Sequence, residues 1–244
     1  MATRVQNLQR LLAPKTIAVV GGSVAEEVIR QCRKIGFEGE LWPVNAKRSH
    51  IEGLVCYPDI ASLPSAPDAT FVAVPRDPTL DIVAALSQRG AAGVVCYASG
   101  FAEVNAEGLA LQNKLIQNAG AMALVGPNCY GLLNYLDGAA LWPDRQGGKR
   151  VERGVALITQ SGNIGLNITM QQRNLPIAYM IAVGNKAQID LHEYIDALLL
   201  DDRVTAIGLH IEGLNDISAF SEVALRALQK GVPLVALKIP RSIR

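Results

Sequence analysis

A chain of 244 residues that is 50% hydrophobic and 18% charged has room for one large or two modest cores and is too apolar to be disordered. Its formal net charge of +1, with no basic run, excludes nucleic acid as an expected partner. No apolar run approaches the roughly 20 residues that span a bilayer, and residues 3–10 are polar and amphipathic rather than a signal peptide, so no membrane contact and a cytoplasmic location are expected.

In chain order, short apolar runs alternate with amphipathic segments. The first strand is read at residues 16–20, ending on Gly21-Gly22-Ser23. A helix follows, with Val24, Val28, Cys32 and Ile35 on one face and Glu26, Arg30 and Lys34 away from it. Gly36 and Gly39 stop that helix before a second strand at 40–44. Further strands are read at 69–74, 93–97 and 122–125, with helices at about 79–89 and 105–119 between them. Such alternation predicts a parallel sheet covered on both faces.

Residues 137–153 are rich in Gly, Asp, Lys and Arg, lack apolar periodicity, and are expected to be a linker between units at 1–140 and 151–244. The alternation then restarts. Strands are read at 155–159, 178–183, 205–211 and 234–237, with helices at about 162–173, 191–200 and 217–230. Asp190 with Glu193 three residues later reads as a capping box at the start of the second of these helices. This unit ends on a strand with no crossover helix behind it, so it is expected to be truncated.

Ligands of open parallel sheets bind beyond the carboxyl ends of the strands. At the first such end, glycine lets a backbone approach a diphosphate and the helix N-terminus offers free N–H groups, but Glu26 and Glu27 in the first turn would compete with an anion. The other possibility is an ordinary tight turn. Asn45 ends the second strand where an NAD reader would carry Asp or Glu, and Lys47 and Arg48 suit a phosphorylated ribose such as that of CoA or NADP, or are simply solvated charges. Pro75 and Asn128 end later strands. In the second unit, Ser161 can cap a helix and Gly162 can admit a phosphate to its N-terminus, although a plain cap would look the same. Glu212 stands at the tip of an apolar strand, where a buried carboxylate needs a partner such as an imidazole, while a solvated one does not.

His50, His192 and His210 have no second ligand at metal spacing, and no metal is expected. His210 is placed on the same face as Glu212 by strand alternation, without a nucleophile's mobility. Cys32, Cys56, Cys96 and Cys129 lie in or beside apolar segments and are expected to pack as small hydrophobes.

Several short motifs, in order, resemble one family. They are Leu12-Ala13-Pro14-Lys15-Thr16-Ile17-Ala18-Val19, Pro43-Val44-Asn45, Ser99-Gly100-Phe101, Gly126-Pro127-Asn128-Cys129-Tyr130-Gly131, Gln160-Ser161-Gly162, Val183-Gly184-Asn185-Lys186, Ile211-Glu212-Gly213 and Leu237-Lys238 with Arg241-Ser242. The chain resembles the α-type region of NDP-forming acyl-CoA synthetases, relatives of the succinyl-CoA synthetase α subunit. The resemblance implies a Rossmann-like CoA-binding domain followed by a flavodoxin-like ligase domain. It also implies a reaction joining a small carboxylic acid to CoA through an acyl phosphate and a phosphorylated histidine.

Carried over, Gly21, Gly22, Ser23 and Lys47 match CoA contacts, Ala98, Ser99 and Gly100 a further CoA loop, and Pro75 and Asn128 join this set as strand-end positions. Ser161, Gly162 and Asn163 match the helix start that holds the histidine phosphate, and Glu212 the glutamate that steadies it. The family's S-H-T-G histidine is expected beyond Arg244. ATP or ADP with Mg is expected only through an ATP-grasp domain or β subunit, in a homo- or hetero-oligomer. The first loop departs from the family by lacking its P-G-x-x-G stretch and being several residues shorter. That departure motivates a second possibility, a non-ligating CoA-sensing region of a protein lysine acetyltransferase or other regulator. A third is an NADP-binding redox module.

Overall fold

The computed structural model describes residues 3–171 and 173–239, so Arg241 and Ser242 lie outside the described residues. The first sheet contains β1 (Thr16–Gly21), β2 (Glu40–Val44), β5 (Ala69–Ala73), β6 (Gly93–Cys96) and β7 (Ala123–Val125). All pair in parallel, in the order β2-β1-β5-β6-β7. The chain leaves β1 to one side for β2 and returns to the other for β5, which makes a topological switch point at the carboxyl ends of β1 and β5. Helices α2 (Ser23–Ile35), α3 (Arg76–Arg89) and α4 (Ala106–Ala119) connect the strands, and a small hairpin of β3 (His50–Ile51) and β4 (Leu54–Val55) follows β2. The strands read as continuous apolar runs because most of their residues are buried.

The second sheet has the order β13-β12-β10-β11-β8-β9. Its parallel part is β10 (Gly154–Thr159), β11 (Ile177–Ala182), β12 (Val204–Ile211) and β13 (Leu234–Lys238), linked by α5 (Gly162–Thr169), α6 (Leu191–Leu198) and α7 (Ile217–Gln229). The expected capping box is present, with Asp190 and Glu193 bonding each other's backbone ends of α6.

The linker expected at 137–153 is corrected by the structure. Strands β8 (Gly131–Asn134) and β9 (Ala139–Leu141) form an antiparallel pair on the edge of the second sheet, with β8 bonded to β11. Ala139, Ala140, Leu141 and Trp142 are all fully buried. Four apolar residues inside a polar stretch are too few for periodicity to register, and it is tertiary packing that makes them a strand. Helix α2 of the first unit packs on β9, where the Cys32 thiol meets the Ala140 carbonyl at 3.1 Å. One continuous core therefore runs through residues of both sheets, while a second covers the opposite face of the first sheet.

Other differences are local. The polar, amphipathic stretch at 3–10, to which the sequence assigns no element, is helix α1 (Arg4–Leu12), with Leu8, Leu11 and Leu12 buried and Thr3 with Gln6 forming a capping box. Helix α3 begins at Arg76 rather than near Thr79, because Pro78 sits in the first turn where no N–H is needed. Helix α5 stops at Thr169, short of the expected end.

Candidate functional site

At the carboxyl end of β1, Gly21 has φ +145°, and a Cβ there would lie 2.6 Å from the Ala73 carbonyl oxygen. Only glycine lets the chain turn this close to β5. Gly22 then caps α2 with no side-chain bond to its first turn and with open space around its Cα, so the helix N-terminus is bare. Asn45 joins β2 to this turn by donating Nδ2 to the Gly21 carbonyl at 2.8 Å, while its Oδ1 accepts the Lys47 and Arg48 amides. Lys47 is exposed on the rim of a cavity of about 700 Å³ whose walls include Gly21, Gly22, Asn45 and Pro75. Ser23 opens α2 beside it without lining it. The expected competition from Glu26 and Glu27 does not arise in the form read. Arg48 and Arg30 pair with Glu26, and Arg30 bonds Glu27 at 2.7 Å, so both carboxylates are held by arginines.

A second cleft, of about 880 Å³, shares Ala73, Val74 and Pro75 with the first. It brings together Pro75, Ala98, Ser99, Asn128, Ser161, Gly162, Asn163 and Glu212. Gly100 does not line it. The Glu103 carboxylate accepts the Gly100 amide at 2.6 Å and the Phe101 amide at 3.2 Å, and the Arg76 guanidinium donates to the Gly100 carbonyl. Burial raises the Glu103 carboxyl, but the Asn185 side chain and these amides outweigh it and hold the group below its ordinary value. Asn185 also bonds Gln112 and Asn128, so the loop after β11 is tied to the loops of the first sheet across the cleft.

At the far side, Ser161 caps α5 by accepting the Ile164 amide at 3.4 Å. Packing adds a demand for glycine at 162 that the sequence did not show: a Cβ there would lie 2.5 Å from the Tyr130 ring. The helix start faces the cleft.

Of the two readings of Glu212, the solvated one holds: it is an exposed residue one position past β12. Its main chain is clamped. Gln160 Oε1 accepts the amides of Glu212 and Gly213, Gln160 Nε2 donates to the Gly213 carbonyl, and Lys238 Nζ donates to the Glu212 carbonyl. Lys186, buried and paired with Asp190 at 2.6 Å, donates to the Gly213 carbonyl at 3.1 Å. Every one of these bonds is to backbone, which leaves the carboxylate without a protein partner among the described residues. Gln160, Lys186, Arg76 and Glu103 are the residues that sequence reasoning left without a role. Gln160 and Lys186 stand in two of the motifs quoted above, but partners that lie up to 82 positions away gave none of the four a readable role.

His210 is buried, with Nδ1 3.3 Å from the Thr159 hydroxyl, and does not line the cleft. The alternation argument that paired it with Glu212 fails because the strand ends between them. Cys32, Cys96 and Cys129 are buried, and burial pushes the thiols of Cys32 and Cys129 up to about 12, as inert packing groups. Among the described residues no cluster of three His, Cys, Asp or Glu side chains is placed to hold a metal, and no helix is long and apolar enough to cross a membrane.

Comparison with known proteins identifies the two units. Residues 15–135 match the CoA binding domain, and residues 152–244 match the succinyl-CoA ligase like flavodoxin domain. Trans-feruloyl-CoA synthase from an unknown prokaryotic organism is 33% identical over 95% of this chain and 34% of its own length. The α subunit of ADP-forming acetate–CoA ligase II of Pyrococcus furiosus is 29% identical over 94% of this chain and 51% of that subunit. Among solved structures, acetyl-coenzyme A synthetase 1 of Ca. Korarchaeum cryptofilum, in complex with phosphate and ADP, superposes with a TM-score of 0.86 at 30% identity, over 95% of this chain and 51% of that one. The chain thus spans about a third to a half of the length of these relatives. With both domain patterns, in this order, over nearly its whole length, the chain belongs to the NDP-forming acyl-CoA synthetase family and holds its α-type region, a Rossmann-like CoA-binding domain followed by a succinyl-CoA ligase-like flavodoxin domain.

Proposed function

We propose that this chain is the CoA- and phosphate-holding part of an acid–CoA ligase that works through an acyl phosphate and a phosphorylated histidine supplied from outside these residues. The observation that carries the proposal is the pair of adjoining cavities. One holds the bare glycine turn and Lys47, the other a helix start and an unpartnered carboxylate, and they meet along Ala73, Val74 and Pro75. In this proposal Gly21, Gly22, Ser23 and Lys47 take the phosphate-bearing end of CoA. Pro75, Ala98, Ser99 and Asn128 line the way to the second cleft. Gly100, whose amide Glu103 already occupies, contributes the shape of its turn rather than a free donor. Ser161, Gly162 and Asn163 receive the histidine's phosphate at the α5 N-terminus, and Glu212 steadies the imidazole that carries it.

In this reading the units are 1–140 and 151–244, and β8, with β9 behind it, joins the end of the first to the sheet of the second. ATP with Mg would enter through an ATP-grasp domain or β subunit in a cytoplasmic homo- or hetero-oligomer. The relatives above are named as ligases or synthases, which favours a ligase over a ligand-sensing region. They are also named for acids as different as acetate and ferulate, so the acid must be read from this chain's own cleft.

Calorimetric titration tests the proposal. CoA is expected to bind the purified chain and to raise its melting temperature by mass action, NADPH is not, and the chain by itself forms no acyl-CoA from acid, ATP and CoA. Tight NADPH binding with none to CoA would point instead to the redox module.

A further inference from the structure

The wall of the second cleft carries a feature that neither CoA binding nor phosphate transfer uses. Tyr97, just past β6, and Tyr130, just before β8, both line it. Their ring centroids are 6.3 Å apart with planes at 84°, an edge-to-face corner open to the cleft. Each ring is backed by a buried aromatic: Phe71 lies 6.0 Å behind Tyr97, and Trp142 lies 5.2 Å behind Tyr130. Gly162 lies flush against Tyr130, where no side chain would fit. The chain holds only four Phe, two Trp and six Tyr, yet the aromatic pairs found among the described residues all fall in this one series.

Neither phenol hydroxyl bonds a protein group among the described residues, so both are free to serve a guest. Burial raises the Tyr130 hydroxyl above its ordinary value, with nearby Tyr97 and Asp144 adding to it, so it remains a neutral donor. Rings in contact prefer offset or edge-to-face arrangements at centroid distances of about 4.5–7 Å, and a right-angled pair offers a third ring one face and one edge at once. A two- or four-carbon aliphatic acid would leave both surfaces to water.

We infer that the acyl substrate is an aromatic carboxylic acid, whose ring lies in the Tyr97–Tyr130 corner and whose carboxylate lies in the same cleft as Ser99 and the α5 start. The inference rests on the ligase proposal above. The two tyrosines are specificity-determining residues in it.

The test is titration of the chain, with and without saturating CoA, using cinnamate and benzoate against acetate and butyrate, alongside Tyr130→Leu, Tyr97→Leu and Tyr130→Phe variants checked for folding by circular dichroism. The aryl acids are expected to bind at least about tenfold tighter than the aliphatic ones, within the range of aromatic contacts plus area. Each leucine variant should lose about three- to tenfold of aryl affinity with CoA affinity unchanged, and Tyr130→Phe should keep most of it. The two leucine variants serve as replacements for each other should one fail to fold. CoA binding without aryl preference, or leucine variants that weaken CoA instead, would overturn the inference while leaving the ligase proposal standing. Absence of CoA binding would remove the ligase proposal, and this one with it.

Discussion

On the proposed ligase function, Glu212→Gln in a system that forms acyl-CoA is expected to lower that rate by about 10²- to 10⁴-fold, the usual worth of a positioned acid–base group, while CoA affinity stays unchanged. The size follows from how the residue is held. Its main chain is fixed by Gln160, Lys238 and, through Gly213, by Lys186, so glutamine will occupy the same place. What disappears is one negative charge from a cleft wall that it shares with Ser161, Asn163 and Asn185, while the Lys238 ammonium stays on the Glu212 main-chain carbonyl. A carboxylate in that position can accept the imidazole N–H and stabilise the ring's positive charge, whereas an amide can only accept the hydrogen bond. Steady-state rates of acyl-CoA formation, with CoA titration in parallel, check both halves. A fall in CoA affinity with an unchanged rate constant would assign Glu212 to CoA binding instead.

Gly21→Ala carries the second large effect. A methyl group there would stand 2.6 Å from the Ala73 carbonyl oxygen and 3.2 Å from the Ala73 Cβ, on a backbone with φ +145° that L side chains rarely adopt. Backbone strain of about 1–3 kcal/mol and overpacking of about 1–3 kcal/mol act together, so a loss of roughly 2–6 kcal/mol is expected against a typical total of about 5–15 kcal/mol. Relief by movement would separate the ends of β1 and β5, which form the floor of the switch point, so CoA binding should fail as well. Gly22→Ala provides the contrast. It meets nothing within 4 Å, so only its backbone, at φ −105° and ψ −119°, resists a side chain, and the loss should be smaller than at Gly21, where a clash is added. Urea unfolding of the two variants beside the parent chain measures the difference.

The alternation of strand and helix was legible because parallel strands buried on both faces must be apolar runs, and the amphipathic crossovers must show the helical period. The Asp190–Glu193 box was legible because a cap is local. Short buried pieces were not. Strand β9 is three residues long, and it is buried only because α2 and its neighbour strand β8 lie against it. Helix α1 shows only three leucines in nine residues, and its burial comes from α6, β6 and β7.

At the site, strand-end positions such as Pro75, Ser99, Asn128 and Ser161 could be listed from the alternation, since a parallel sheet gathers them on one side. Which of their donors remain free could not be read. The Gly100 amide is taken by Glu103, Gly162 is demanded by Tyr130, and Glu212 is oriented by Gln160 from 52 residues away. The first depends on the conformation of one loop and the other two on contacts between distant segments, which periodicity and spacing do not encode.

The central claim is that the two adjoining cavities take one extended guest and its phosphate. A crystal structure of the chain with CoA and inorganic phosphate tests this most directly. The expected result places the CoA diphosphate against the Gly21–Gly22 turn, with the molecule continuing past Pro75, and phosphate at the α5 start beside Glu212. CoA seated away from the glycine turn, or phosphate absent from the α5 start while CoA is bound, would contradict it.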